Sequence, residues 1–199
     1  MSKQARTDHP IHDLLAKRWS PLAFAERPVP VDVLRRLLEA TRWAPSSYNE
    51  QPWAFIVATK DEPDEFEKLL HCLVPGNQTW AQAAPVLMLT VAHQQFKKNQ
   101  KPNRHAFHDV GLAMGNLCVQ ATAEGLYVHQ MAGIDPDKAR ADYSIPEDWE
   151  AVAGAAIGYH GDPGRLPEHL QAREKAERTR KPLGEFVFAG SWAATSYLV

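Results

Sequence analysis

The run Pro85-Val-Leu-Met-Leu-Thr-Val constrains this chain more than any other stretch, because it is continuously apolar or uncharged over seven residues. It falls far short of the roughly 20 apolar residues that span a bilayer. A run of this length reads as a central strand buried on both faces. The chain must then supply apolar cover for two sides of one sheet. Val31 to Trp43 offers Leu34, Leu37, Leu38 and Thr41 at helical spacing, with Pro30 and Asp32 suited to the start and Ala44-Pro45 to the stop. Asp61 is placed to cap a helix presenting Phe66, Leu69, Leu70 and Leu73. The longest helix is predicted from about 105 to 124, with Val110, Met114, Leu117, Cys118 and Ala121 as its stripe and Gly125 as its terminator.

The remaining elements alternate around the same sheet. Strands are predicted at Trp53-Ala-Phe-Ile-Val-Ala, Leu126 to Met131 and Ala151 to Tyr159, with strand character returning after Gly184. A short helix is expected over 9–18 with Ile11, Leu14 and Leu15 on one face, another after Asp135-Pro136, and a charged one from Arg165 to Arg180. Residues 94–104 are polar and basic and read as a mobile loop. Gly111 and Gly115 leave a bare strip on the long helix, although each glycine costs roughly 1 kcal/mol there relative to alanine. Such a strip admits another backbone, either a partner's equivalent helix or a neighbour within the same subunit.

Composition narrows the function classes. At 199 residues, 44% of them hydrophobic, the chain suits one domain with a real core. A net charge of -2 gives no reason to expect a nucleic-acid or membrane-surface binder. The first ten residues lack the apolar core of a secretion signal, so a cytoplasmic setting is expected. Cys72 and Cys118 form no CxxC pair and read as reduced core thiols. The chain has no GxGxxG, P-loop or GxSxG, so a bound nucleotide would not sit on a glycine-rich loop. His105 and His108 could share a helix face beside Asp109, but with no evident third ligand a metal site is not expected.

Three segments carry chemistry. In Arg18-Trp19-Ser20 an arginine and a hydroxyl two residues apart can reach one phosphate, the first as a charge-assisted fork. Pro45-Ser46-Ser47-Tyr48-Asn49-Glu50-Gln51-Pro52-Trp53 packs hydroxyls and carboxamides between prolines, a stiff polar loop suited to the edge of a ligand rich in donors and acceptors. Arg178-Thr179-Arg180-Lys181 could add cations to the same anion, or could be a basic helix end.

The R-x-S pair, the PSSxNxQPW string, Asn77 to Trp80 before Ala84-Pro85, and the span Asp109 to Leu126 together resemble the FMN-dependent nitroreductase family. The resemblance runs over roughly residues 10–190, taken as a single FMN-binding domain with 1–9 and 191–199 as terminal extensions. It implies an α+β fold with a central, mostly antiparallel sheet flanked by helices, an intertwined homodimer, and FMN at the subunit interface. Matched residue by residue, Arg18 and Ser20, with Trp19 between them, are the phosphate segment. Pro45, Ser46, Ser47, Asn49 and Gln51 belong to the loop that reaches the flavin from the other subunit. Asn77 lies near the pyrimidine edge, and Met131-Ala132-Gly133 turns a backbone N–H to flavin N5 and O4. Arg178 and Arg180 close on the phosphate.

The sequence departs from that pattern twice. Leu22 stands where many members carry a basic residue, which leaves that phosphate contact open and more of the charge to Arg178 and Arg180. Ala132 stands where some carry a glutamate, so a backbone contact survives there and a side-chain contact does not. The implied activity is hydride transfer from NADH or NADPH through FMN to a small-molecule acceptor, a nitroaromatic or quinone, in a ping-pong cycle with no protein acid or nucleophile. The alternatives are reductive dehalogenation, flavin breakdown, or an FMN store or sensor without turnover.

Overall fold

The chain was examined as a computed structural model, which describes residues 3–199. Its elements follow in the order α1 (Asp13–Lys17), α2 (Val31–Arg42), β1 (Trp53–Thr59), α3 (Pro63–Leu70), α4 (Pro75–Ala81), β2 (Val86–His93), α5 (Ala106–Ala123), β3 (Tyr127–Met131), α6 (Pro136–Tyr143), β4 (Trp149–Gly158) and α7 (Glu168–Lys175). The four strands form one sheet in the order β1-β2-β4-β3, and every pair is antiparallel. The fold is therefore α+β, as expected. Among the described residues no helix is long and apolar enough to cross a membrane.

The apolar run becomes β2, and all eight of its residues are buried. Because successive side chains point to opposite faces, Val86 and Met88 enter one core while Leu87, Leu89 and Val91 enter another. The first core is covered by Met114, Leu117, Cys118 and Ala121 of α5 and Leu37 of α2. The second is covered by Phe66 and Leu69 of α3, Trp80 of α4, Ala139 of α6 and Leu170 of α7. Both cysteines are buried and unpaired. Burial pushes the Cys72 thiol up to about 11, out of the reactive range.

Several boundaries differ from expectation for identifiable reasons. The opening helix is shorter than 9–18, and Ile11 and Leu15 remain exposed while Ala16 takes the buried position. Asp61 does not cap α3, which begins at Pro63, where the missing N–H needs no cap. Pro75 likewise opens α4, which places Asn77 on a helix. Residues 94–104 are pinned by a Gln95–Pro102 bridge and by the Lys97 N–H, which donates to Glu50 Oε1 at 2.6 Å. The charged helix is confined to Glu168–Lys175, since Pro163 and Pro167 precede it and Ala176 is already extended. After Gly184 no strand forms, only a short 3-10 turn at Leu183–Glu185 and a bridge between Phe188 and Thr195. Gly125, at φ 72°, ends α5 as predicted, and Asp135 Oδ1 caps α6 by accepting from the Lys138 N–H.

Candidate cofactor site

Arg18, Trp19 and Ser20 leave the end of α1 in extended backbone, and the Arg18 guanidinium lies 3.2 Å from Ser20 Oγ. They share a cavity of about 280 Å³ with Lys3, Leu22, His129, Arg173, Glu174, Ala176, Glu177, Arg178 and Arg180. Arg18, Ser20, Arg178 and Arg180 are thus brought together from distant parts of the sequence. Arg178 and Arg180 stand on extended chain beyond α7, which removes the helix-end reading.

The roles within that group are unequal. Arg178 Nη1 donates to the carbonyls of Lys3 (2.6 Å) and Ala16 (2.9 Å), so one of its nitrogens braces the N-terminal segment. Burial, followed by Arg18 and Arg180, lowers its pKa below the usual arginine value. Trp19 is buried behind the cavity, edge-on to Tyr127 and His160, and its indole N–H has no partner among the described residues.

The Leu22 side chain is 2% exposed and packs into the core, so this position gives the cavity no cation. The backbone N–H of Leu22 matters instead, since it donates to Glu174 Oε2 at 2.7 Å. Glu174 is a buried carboxylate whose other oxygen lies 3.0 Å from His160 Nε2. Pro21 O takes the Nδ1 hydrogen of His129 at 2.7 Å. The segment carrying the R-x-S pair is thereby pinned at two successive residues.

A second group lies at the far end of β3. The Gly133 carbonyl accepts from Asn77 Nδ2 (3.0 Å) and from the Val74 N–H (3.1 Å). A Cβ on Gly133 would stand 2.7 Å from both Asn77 Nδ2 and Val74 Cγ2, so only glycine fits beside Asn77. The Gly133 N–H itself donates to no acceptor among the described residues. Met131 is buried in the core, while Ala132 is exposed. Asn77 and Gly133 are thus together, four residues of chain beyond His129, or about 13 Å at an extended rise.

The Pro45–Trp53 loop forms a third group, fixed from within. Ser46 Oγ accepts from the Gln51 N–H (3.0 Å), and Gln51 Nε2 donates to Asn49 O (3.2 Å). The Ser47 N–H donates to the buried Asp109 Oδ2 at 2.9 Å. Tyr48, Asn49 and Gln51 all have positive φ, between 49° and 55°, a conformation that costs a non-glycine residue roughly 1–2 kcal/mol. Pro45 and Asn49 are exposed. Among the described residues no hydrogen bond joins this loop to the basic cavity. Gly111 and Gly115 are exposed on the same helix as Asp109, and a Cβ at either would meet nothing within 4 Å. Packing within the subunit is therefore not the reason for the bare strip.

Sequence reasoning missed His129, Arg173, Glu174 and Lys3. His129 carries a legible signal, a polar residue between Tyr127 and Met131 on one face of a buried strand. Arg173 and Glu174 carry none, because a charged helix looks the same whether its charges face solvent or a cavity.

The family model described as "Nitroreductase family" matches residues 15–159, most of the chain. This protein is a member of the nitroreductase family. A crystal structure of an oxidoreductase containing FMN aligns over 98% of this chain and 99% of its own, at 34% identity and a TM-score of 0.91. A nitroreductase family protein from Clostridium difficile aligns over 89% of this chain and 96% of its own, at 26% identity and a TM-score of 0.69. An NADH dehydrogenase of Thermus thermophilus is 27% identical over 190 residues, covering 80% of this chain and 90% of that one.

Proposed function

We propose that this nitroreductase-family chain is an FMN-dependent NAD(P)H oxidoreductase that acts as a homodimer. The observation that carries the reading is the convergence of Arg18, Ser20, Arg173 and Arg180 on one cavity of about 280 Å³. That donor set suits a phosphate monoester, since arginine forks match phosphate oxygens and a hydroxyl adds a short bond. Beyond the end of β3, the Gly133 N–H, which has no acceptor among the described residues, and the neighbouring Asn77 carboxamide suit the polar edge of an isoalloxazine.

Bound FMN supplies the redox chemistry, taking hydride from NADH or NADPH and passing reducing equivalents to a nitroaromatic or quinone. The residues hold and orient it. Arg18 and Arg180 would neutralise the phosphate, Ser20 would donate a hydrogen bond to it, Gly133 would offer an N–H, and the Ser46–Gln51 loop of a second copy would close the other side. Gly111 and Gly115 of α5 give that copy a bare surface on which to approach.

The decisive test is an absorbance spectrum of the purified protein before and after anaerobic NADH or NADPH. The expected result is flavin bands that bleach on reduction and return when a quinone is added. Protein that neither carries nor takes up FMN would overturn the reading. Parallel lines in two-substrate steady-state kinetics are expected, and intersecting lines would count against a shared site.

A further inference from the structure

The tautomer of His129 is fixed by its surroundings. Its Nδ1 lies 2.7 Å from Pro21 O, and a carbonyl only accepts, so Nδ1 carries the hydrogen. In the neutral ring Nε2 then holds a lone pair, and it makes no hydrogen bond among the described residues. The ring packs on Trp80 at 4.5 Å between centroids and lines the basic cavity.

We infer that His129 is the proton-linked member of the anion pocket: it takes up a proton at Nε2 when a phosphate monoester binds, changing from a lone pair that repels the anion into a charged donor. This rests on the reading of the cavity as the phosphate site of FMN, and it adds a residue and a pH dependence to that reading.

The groups around the ring explain why the proton arrives with the anion. Arg18 faces the cavity from the segment after α1, Arg173 and Glu174 from α7, Glu177, Arg178 and Arg180 from the chain beyond it, and Lys3 from the N-terminal segment. Trp80, the contact from α4, does not titrate. Five cations therefore stand against two carboxylates. With no anion present, burial first and then Arg173 and Arg18 disfavour the charged ring, against the opposing pull of Pro21 O and Glu174, and its pKa lies below the usual histidine value. A phosphate dianion offsets that cationic excess and offers an acceptor. The bound state then holds more protons than the free state. Affinity must rise as pH falls through the window between the bound-state and free-state pKa of the ring.

The test uses full-length protein freed of flavin and titrated with FMN and, separately, riboflavin, between about pH 5.5 and 8.5. Proton exchange is counted by calorimetry in two buffers of different ionisation heat. The comparison protein is His129→Asn, whose Nδ2 stands at the Nδ1 position and keeps an N–H for Pro21 O but cannot be charged. Wild type is expected to take up more protons on binding FMN than the variant, and riboflavin is expected to give no difference. The ratio of variant to wild-type Kd for FMN should grow about tenfold from pH 8 to pH 6, the worth of one charge-assisted bond. The phosphate's own second ionisation, near pH 6, is common to both proteins and cancels in the ratio. Equal proton counts and parallel pH profiles, with FMN bound by both, would overturn the inference and leave His129 as a brace for Pro21. Failure of the wild type to bind FMN at any pH would instead overturn the cofactor reading. Should His129→Asn not fold, His129→Gln replaces it in the same comparison.

Discussion

The basic cavity and the Pro45–Trp53 loop are both rich in polar groups, yet they are built in opposite ways. The cavity is assembled by one chain from the N-terminal segment, the segment after α1, β3, and α7 with the extended chain beyond it. The loop is assembled from nine consecutive residues and turns several of its polar groups on itself, with Asp109 as its buried anchor. The cavity gathers Arg18, Ser20, Arg173 and Arg180 around one space, whereas the loop has no hydrogen bond to it within its own subunit. The difference teaches that only half of the proposed site is a property of the folded monomer. On the proposed reading, the other half comes from a second copy.

Four experiments would break or sharpen that contrast. The largest effect is expected from Gly115→Leu, whose side chain would project from an open face and block a second copy. The folded monomer should persist, seen by circular dichroism and size exclusion, while FMN is lost. A dimer that keeps FMN would place the interface elsewhere. Arg18→Ala removes a charge-assisted contact worth about 1.5–3 kcal/mol, so the Kd for FMN should rise by roughly tenfold to a hundredfold. Unchanged FMN content would reject the phosphate assignment. Gly133→Ala forces a Cβ against Asn77 and Val74, at a cost of about 1–3 kcal/mol, and should lower Tm and weaken flavin binding together. The smallest change is expected from Asp109→Asn, whose carboxamide oxygen can still accept from the Ser47 N–H. Loop order, followed by hydrogen exchange at Ser47, should fall only slightly, whereas Asp109→Ala should expose it at a cost of about 1–3 kcal/mol.

How much of this was legible in the sequence depended on whether a residue's signal was local. The two-faced burial of β2 followed from its unbroken apolar run, and the α5 stripe followed from helical spacing. The R-x-S pair and the PSSxNxQPW string were visible because their residues are neighbours in the chain. Glu174 was not visible. Its partners, the Leu22 N–H and His160, lie 152 and 14 residues away, and no periodicity distinguishes it from its charged neighbours on α7. The strand expected after Gly184 failed for a related reason. Alternating apolar residues make a strand only where a neighbouring edge is available, and here a 3-10 turn and a single bridge formed instead. At Leu22 the sequence leaves one phosphate contact open, and the structure uses that residue's backbone N–H to hold Glu174.

Glu174 also fastens the two ends of the chain to each other. One carboxylate oxygen holds Leu22, the other meets His160, and its backbone carbonyl takes the Lys3 ammonium, while Arg178 reaches back to Lys3 O. The segment before α1 and the segment after α7 are therefore released or secured together, as two straps on one buckle. A ligand that binds only the buckled form stabilises it by mass action, about 2.7 kcal/mol at a hundredfold excess over Kd. On the proposed reading, the proteolytic susceptibility of the segments before α1 and just after α7 should then gauge how full the cavity is.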